Sequence, residues 1–291
     1  GALNMKNMYL LGSFLLLFSH SILADSNNSG AVWELIPVES TLMVTDHDGK
    51  HKVIEPACAF DTITNPVDGS SIDNAFHFYF KQGSSDNLVV YFNGGGACWD
   101  DATCVASLAL ASVPGARPVY NPIIHQANSP VGAGGIFDDS NIKNPFRDWS
   151  KVFIPYCTGD LHIGSKTVVY HDVDGSISGT GIAGFPVQVK HHGSDNFLAV
   201  REWIKNFTEE NGEFDKVLAT GSSAGGYGAT FNFPYIQDAF PETEVVLFAD
   251  ASEAIITAGF IDDTFSIKST WNIKHTLPTI FADELGNFTE N

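Results

Sequence analysis

The sequence is poor in positive charge: 15 Lys and Arg stand against 34 Asp and Glu, a formal net charge of -19 over 291 residues. Such a surface repels polyanions, which argues against nucleic-acid binding and against adhesion to anionic lipid. A polyanionic substrate would be repelled too, unless the site itself is locally neutral or basic. Long apolar runs are also scarce. The run from Tyr9 to Phe18 falls well short of the ~20 residues that span a bilayer, so no stable membrane anchor is expected. Cysteine is limited to Cys58, Cys98, Cys104 and Cys157, without the C-x-x-C pairs of a zinc knuckle, so no metal site is expected. There is no internal repeat, low-complexity tract or long linker, and neither G-x-G-x-x-G nor G-x-x-x-x-G-K-[ST] is completed, so no nucleotide or other cofactor is implied.

What is present begins with an N-terminal segment that is not part of the fold. Lys6, the apolar run and Ala24 before a polar stretch have the layout of a secretory signal peptide, with cleavage after Ala24 and a secreted or periplasmic product. Residues 1–4 precede the first Met and read as non-native or as an extension of the reading frame. The mature chain, 25–291, reads as a single domain: 44% hydrophobic and 17% charged residues give it ample core. Export places four cysteines in an oxidising compartment, so two disulfides are expected. The sequence permits three connectivities; the favoured one is Cys98–Cys104, which closes a short local loop and leaves Cys58 to pair with Cys157. Sequons at Asn27, Asn206 and Asn287 matter only in a glycosylating host.

Along the mature chain, "AFHFYFK" (75–81) alternates as a half-buried strand, and "NLVVYFN" (87–93) is a short apolar run of the buried parallel kind. "ATCVASLALAS" has helical composition, "KVFIPYC" (151–157) is a further buried strand, and "KTVVYHDVDGSIS" reads as a hairpin turning at Asp174 and Gly175. A helix over "SDNFLAVREWIKNFTEE" opens on Ser194 as its N-cap; "KVLAT" and "EVVLFAD" (244–250) are strands. Strands alternating with helices predict an α/β fold with a mostly parallel sheet covered on both faces.

One stretch carries chemistry. In "KVLATGSSAGGYGATFNF", Gly221, Ser223 and Gly225 satisfy G-x-S-x-G between a strand and a helix start, where a sharp turn pushes the serine out at the strand's carboxyl end. A serine hydroxyl needs donors for the oxyanion that forms when it attacks a carbonyl. In this arrangement one donor is the amide after the serine, Ala224, and another comes from a glycine turn after an earlier strand, here Gly94 to Gly96 in "YFNGGGACW".

"VVYFNGGGACW", "IPYCTGDLHIGS" and "TGSSAGGYGA", in that order, resemble the pectin acetylesterase and Notum family of secreted serine carboxylesterases, over residues 55–260. The resemblance implies an α/β-hydrolase fold, Ser223 as nucleophile, an oxyanion hole of Gly95, Gly96 and Ala224, and removal of an O-acyl group. Relatives act on acetylated pectin or, for Notum, on a palmitoleoyl-modified protein; the substrate expected here is an acylated carbohydrate, and the enzyme is expected to be a monomer. Where Notum carries a tryptophan in its oxyanion turn this chain has Gly96, so the lining of the acyl pocket does not carry over.

In this fold the acid and the histidine follow the serine, and after Ser223 the sequence offers His275 with acids such as Asp250 and Asp263. His275 lies between a tryptophan and a proline without a strand before it, and Asp250 reads as a pocket-floor residue, so the expectation is that the chain stops before its triad is complete. Asp160 and His162, after the strand at 151–157, are candidates for the cleft with Trp99 and Asp250; Tyr120, Tyr156 and Phe185 could face a sugar or acyl group. His191 and His192 are expected to be solvated, and Asp172 and Asp174 to serve a hairpin turn rather than a calcium loop, whose terminal Glu is missing. The competing reading is a non-catalytic carbohydrate-binding or interaction protein that keeps the hydrolase fold without a complete triad.

Overall fold

The computed structural model describes residues 32–46, 49–64, 71–106, 119–124, 128–253 and 270–273. The strands are β1 (Glu34–Pro37), β2 (Leu42–Thr45), β3 (His51–Ile54), β4 (Thr62–Thr64), β5 (Ser71–Asp73), β6 (His77–Lys81), β7 (Ser85–Phe92), β8 (Trp149–Ile154), β9 (Lys166–Asp172), β10 (Phe185–His191), β11 (Lys216–Ser222) and β12 (Glu244–Asp250). Two α-helices are described, α1 (Gly193–Asn211) and α2 (Ala224–Ala239). The expected signal segment and the sequons at Asn27 and Asn287 lie outside the described residues, as do Asp263 and His275. Among the described residues no helix is long and apolar enough to cross a membrane.

Six strands form the central sheet in the order β1-β6-β8-β7-β11-β12. β8, β7, β11 and β12 run parallel, while β1 and β6 add an antiparallel edge. Period-2 alternation sorts the side chains onto two faces. Phe78 and Phe80 of β6, Leu88, Val90 and Phe92 of β7, Val152 and Ile154 of β8, and Val217 and Ala219 of β11 form one core with Phe197, Val200 and Ile204 of α1 and Tyr235 and Ile236 of α2. On the opposite face Tyr91 stacks on Phe153 at 5.6 Å, and Phe137, from a short turn at Gly135–Phe137, packs edge-on to both.

The cysteines pair as Cys58–Cys157 and Cys98–Cys104. Residues 102–106 form a short π-helical turn, and the rest of the helix expected there, 107–112, lies outside the described residues. The hairpin is present, β9 against β10, but its return strand starts only at Phe185. The intervening segment makes its own turns: Asp174 Oδ1 accepts the Ser176 amide at 2.9 Å and Asp172 Oδ2 the Ser178 amide at 2.8 Å. Both carboxylates therefore serve turns.

The start of α1 differs from the expectation in cap and in neighbours. The helix begins at Gly193, with His192 rather than Ser194 in the cap position, and the Gly193 amide donates to Asp160 Oδ2 at 2.8 Å. A carboxylate from a distant loop thus takes the role that a local side chain usually fills at a helix N-terminus.

Candidate active site

β11 carries the chain to Ser222, and α2 begins at Ala224. Between them Ser223 has φ 57° and ψ -125°, a strained conformation for a residue with a side chain, and it is exposed. The neighbouring glycines are a packing requirement: a Cβ on Gly221 would lie 2.6 Å from the Phe92 carbonyl oxygen, and one on Gly225 would overlap the same atom. The end of β7 presses on the turn from that side. On the other, the Ser223 amide donates to the Asp250 carbonyl at 2.9 Å, and the Ser223 carbonyl accepts the Gly226 amide at 2.9 Å, starting the first helical turn.

The glycine turn reaches this point from β7. A Cβ built on Gly94 would stand 3.5 Å from the Ser223 Cβ and would overlap the Ser222 carbonyl oxygen, so the two segments are in contact and only glycine fits at 94. Gly95 and Gly96 are exposed and have φ of 146° and 84°, which suits glycine. The turn is tied down behind: Asn93 Nδ2 donates to Asn128 Oδ1 at 2.7 Å, and the buried Asn128 exchanges bonds with the Tyr156 backbone at 2.8 and 3.0 Å. Asn128 carries no signature in the sequence, since nothing local marks it as a clamp. Ala224 stands at the N-terminus of α2, where backbone amides lack intrahelical acceptors.

Of the cleft candidates, Trp99 is half-buried and packs with Ala97, Tyr227 and Phe231 over Tyr156, Leu161 and Ala224. Asp250 is exposed at the end of β12, and its Oδ2 accepts the Ser222 hydroxyl at 3.2 Å. Asp160 and His162 do not line a cleft; they are 0% and 2% exposed. Asp160 Oδ1 accepts the Thr158 hydroxyl at 2.5 Å and the His162 amide at 3.1 Å, bonds that draw the polar side chain inward. Burial raises the Asp160 pKa and those bonds partly counter the rise. His162 Nε2 lies 2.8 Å from the Asn93 carbonyl oxygen, and burial lowers its pKa to about 4.

Tyr120 and Tyr156 are fully buried, whereas Phe185 is 38% exposed. His191 and His192 are buried rather than solvated, because distant partners receive them: His191 contacts the Thr158 carbonyl at 2.8 Å and the Tyr170 hydroxyl at 2.9 Å, and His192 contacts the Glu55 carbonyl at 2.7 Å. Among the described residues the one cluster with metal-ligand chemistry is Cys98, Cys104 and His191, within 4.8 Å of one another. Both sulfurs are committed to the Cys98–Cys104 disulfide, which leaves no thiolate to bind an ion.

A parallel sheet with a serine raised on a strand-to-helix turn, facing a glycine turn from the neighbouring strand, defines an α/β-hydrolase fold. Comparison with known proteins agrees. The pectinacetylesterase family model matches residues 62–278, and the chain belongs to that family. It is 28% identical over 140 residues to pectin acetylesterase 11 of Arabidopsis thaliana, an alignment covering 47% of this chain and 32% of that protein. The chain thus spans about a third of that curated relative. In fold it is similar to the Wnt deacylase Notum from Drosophila in one crystal form, with a TM-score of 0.50 and 17% identity over 87% of this chain and 65% of Notum. A second crystal form of Notum matches at a TM-score of 0.43 and 19% identity, over 79% of this chain and 62% of that one.

Proposed function

We propose that this protein is a secreted serine carboxylesterase that removes O-acyl groups, acetyl above all, from an acylated carbohydrate. The observation that carries the reading is the contact between the Gly94 turn and the strained, exposed Ser223. In the reaction the Ser223 hydroxyl attacks the ester carbonyl, the amides of Gly95, Gly96 and Ala224 stabilise the oxyanion, and the alcohol leaves as an acyl-enzyme forms. Water then releases the acid and restores the serine.

The base that takes the Ser223 proton is assigned to the residues after α2, in the order this fold uses. His162 is not assigned that role: it is buried, and its Nε2–H is held by the Asn93 carbonyl. The paired cysteines support an oxidising compartment, in keeping with an N-terminal signal peptide. Family membership supports a pectin-like substrate. With a net charge of -19, the site should favour neutral or ester-masked regions of such a polymer over bare polyanion.

The test uses protein expressed from the complete reading frame. It should release p-nitrophenol from p-nitrophenyl acetate and acetate from acetylated pectin, and Ser223→Ala should lower kcat by about 10³-fold or more. An unchanged rate in that variant, or a wild-type protein that binds carbohydrate and cleaves no ester, would overturn the proposal.

A further inference from the structure

The loop after β8 contains two successive residues in the left-handed region, Leu161 at φ 58° and His162 at φ 63°. Neither is glycine, and such backbone costs about 1–3 kcal/mol per residue, so it persists only where its surroundings impose it. Here they do. The Leu161 amide donates to the Tyr156 hydroxyl at 3.0 Å, the His162 amide to Asp160 Oδ1 at 3.1 Å, and Asn232 Nδ2, from α2, to the His162 carbonyl at 3.2 Å.

The effect of this conformation is to drive the imidazole between three parts of the site. Its Nε2 lies 2.8 Å from the Asn93 carbonyl oxygen. A carbonyl only accepts, so Nε2 carries the proton and the ring is the Nε2–H tautomer. Its faces and edges meet Tyr156 at 4.8 Å and Phe92 at 5.3 Å. Helix α2 rests on it as well: a Cβ on Gly228 would come within 2.7 Å of His162 Cδ2. Asn93 immediately precedes the glycine turn, and Gly228 sits about one helical turn past Ala224. The ring therefore spaces the two segments that supply the oxyanion donors.

We propose that His162 is the positioning residue of the oxyanion hole, a buried imidazole that sets the glycine turn at residues 94–96 against the helix that begins at Ala224. This rests on the esterase reading above. Donors drawn from two chain segments stabilise an oxyanion only when their separation matches the transition state, and an error near 1 Å costs about 10²-fold in rate. The imidazole supplies both features the position requires, an aromatic disc that fills the gap and an N–H that holds the Asn93 carbonyl. It makes no contact with substrate and takes no part in proton transfer.

The experiment compares wild type, His162→Phe, His162→Gln and Ser223→Ala on p-nitrophenyl acetate, with thermal unfolding of each. Phe keeps the disc and loses the donor; Gln keeps a donor and loses the disc. The expected result is a folded His162→Phe protein whose kcat falls about 10- to 100-fold with KM within about twofold, and a His162→Gln protein that recovers most of kcat despite a lower melting temperature. A folded Phe variant with wild-type kcat would overturn the inference, as would losses in both variants that simply follow stability. If Phe does not fold, ¹⁵N spectra of wild-type protein decide: a neutral Nε2–H ring with a slowly exchanging proton at neutral pH supports the inference, and an Nδ1–H tautomer or a charged ring overturns it. A wild-type protein that cleaves no ester, or an active Ser223→Ala protein, would instead sink the esterase reading and leave the tautomer result standing.

Discussion

The Ser223 amide donates to the Asp250 carbonyl oxygen at 2.9 Å, so the end of β12 holds the turn that lifts the serine. Gly226 lies over the same carbonyl, where an added Cβ would come within 2.9 Å of that oxygen and 2.5 Å of Ser252 Oγ. Gly226→Ala should push β12 away and slacken the serine turn. We expect kcat on p-nitrophenyl acetate to fall at least about 10-fold and stability to fall by about 1–3 kcal/mol. A variant with wild-type kcat and an unchanged urea midpoint would show that the strand end does not hold the serine.

The two disulfides differ in what they constrain. Cys58 and Cys157 are 99 residues apart in sequence, while Cys98 and Cys104 are 6 apart. On the chain-entropy account, a cross-link removes more denatured-state freedom the longer the loop it closes. Replacing Cys58 and Cys157 by serine should cost about 4–5 kcal/mol and replacing Cys98 and Cys104 about 2 kcal/mol, read from urea unfolding. The reverse order would mean that native-state packing around the short loop, rather than loop length, sets the cost.

Those pairings were legible because the spacing offered one local loop, and β12 was legible to the residue because "EVVLFAD" is an uninterrupted strand-forming run. The serine turn was legible for a related reason: glycine is required where backbone meets backbone, and Gly221 and Gly225 mark the crossing with Phe92. The polar residues were harder. Asp160 and His162 follow a strand's carboxyl end, which is where cleft residues stand, but their partners are Gly193, Thr158 and Asn93. Most of those partners lie far away in the chain, and a lone sequence does not reveal that a buried polar group has been satisfied. The same holds for His191 and His192, whose acceptors come from residues 158 and 55.

Burial of histidine has a consequence in acid. His162 and His191 are both lowered to about 4 by burial, against an ordinary value of 6.5. The unfolded chain therefore takes up protons first as pH falls. The stability from these two rings is whole above pH 6.5 and declines toward pH 4, by on the order of 3 kcal/mol per ring. Asp160, raised by burial, acts in the opposite sense and blunts the decline. Urea midpoints between pH 7 and 4.5 should fall, and His191→Gln should make the fall shallower. A flat profile would contradict the buried, neutral state of both rings.

On the face of the sheet opposite α1 and α2, Asp139 bridges two cations, Lys81 at 2.5 Å and Lys151 at 2.9 Å. Lys151 is 0% exposed and also donates to the Trp149 carbonyl at 3.0 Å. Burial lowers its pKa, and Asp139 partly restores it. Removing one partner of a buried pair leaves an uncompensated charge, whereas removing the buried charge itself does not. Asp139→Asn, which strands Lys151 beside Lys81, should therefore destabilise by about 3 kcal/mol or more, while Lys151→Met, which leaves Asp139 paired with Lys81, should cost less than about half of that. Urea unfolding of the two variants checks the order, and a Lys151→Met protein less stable than Asp139→Asn would mean that the Lys151 ammonium is itself a net source of stability.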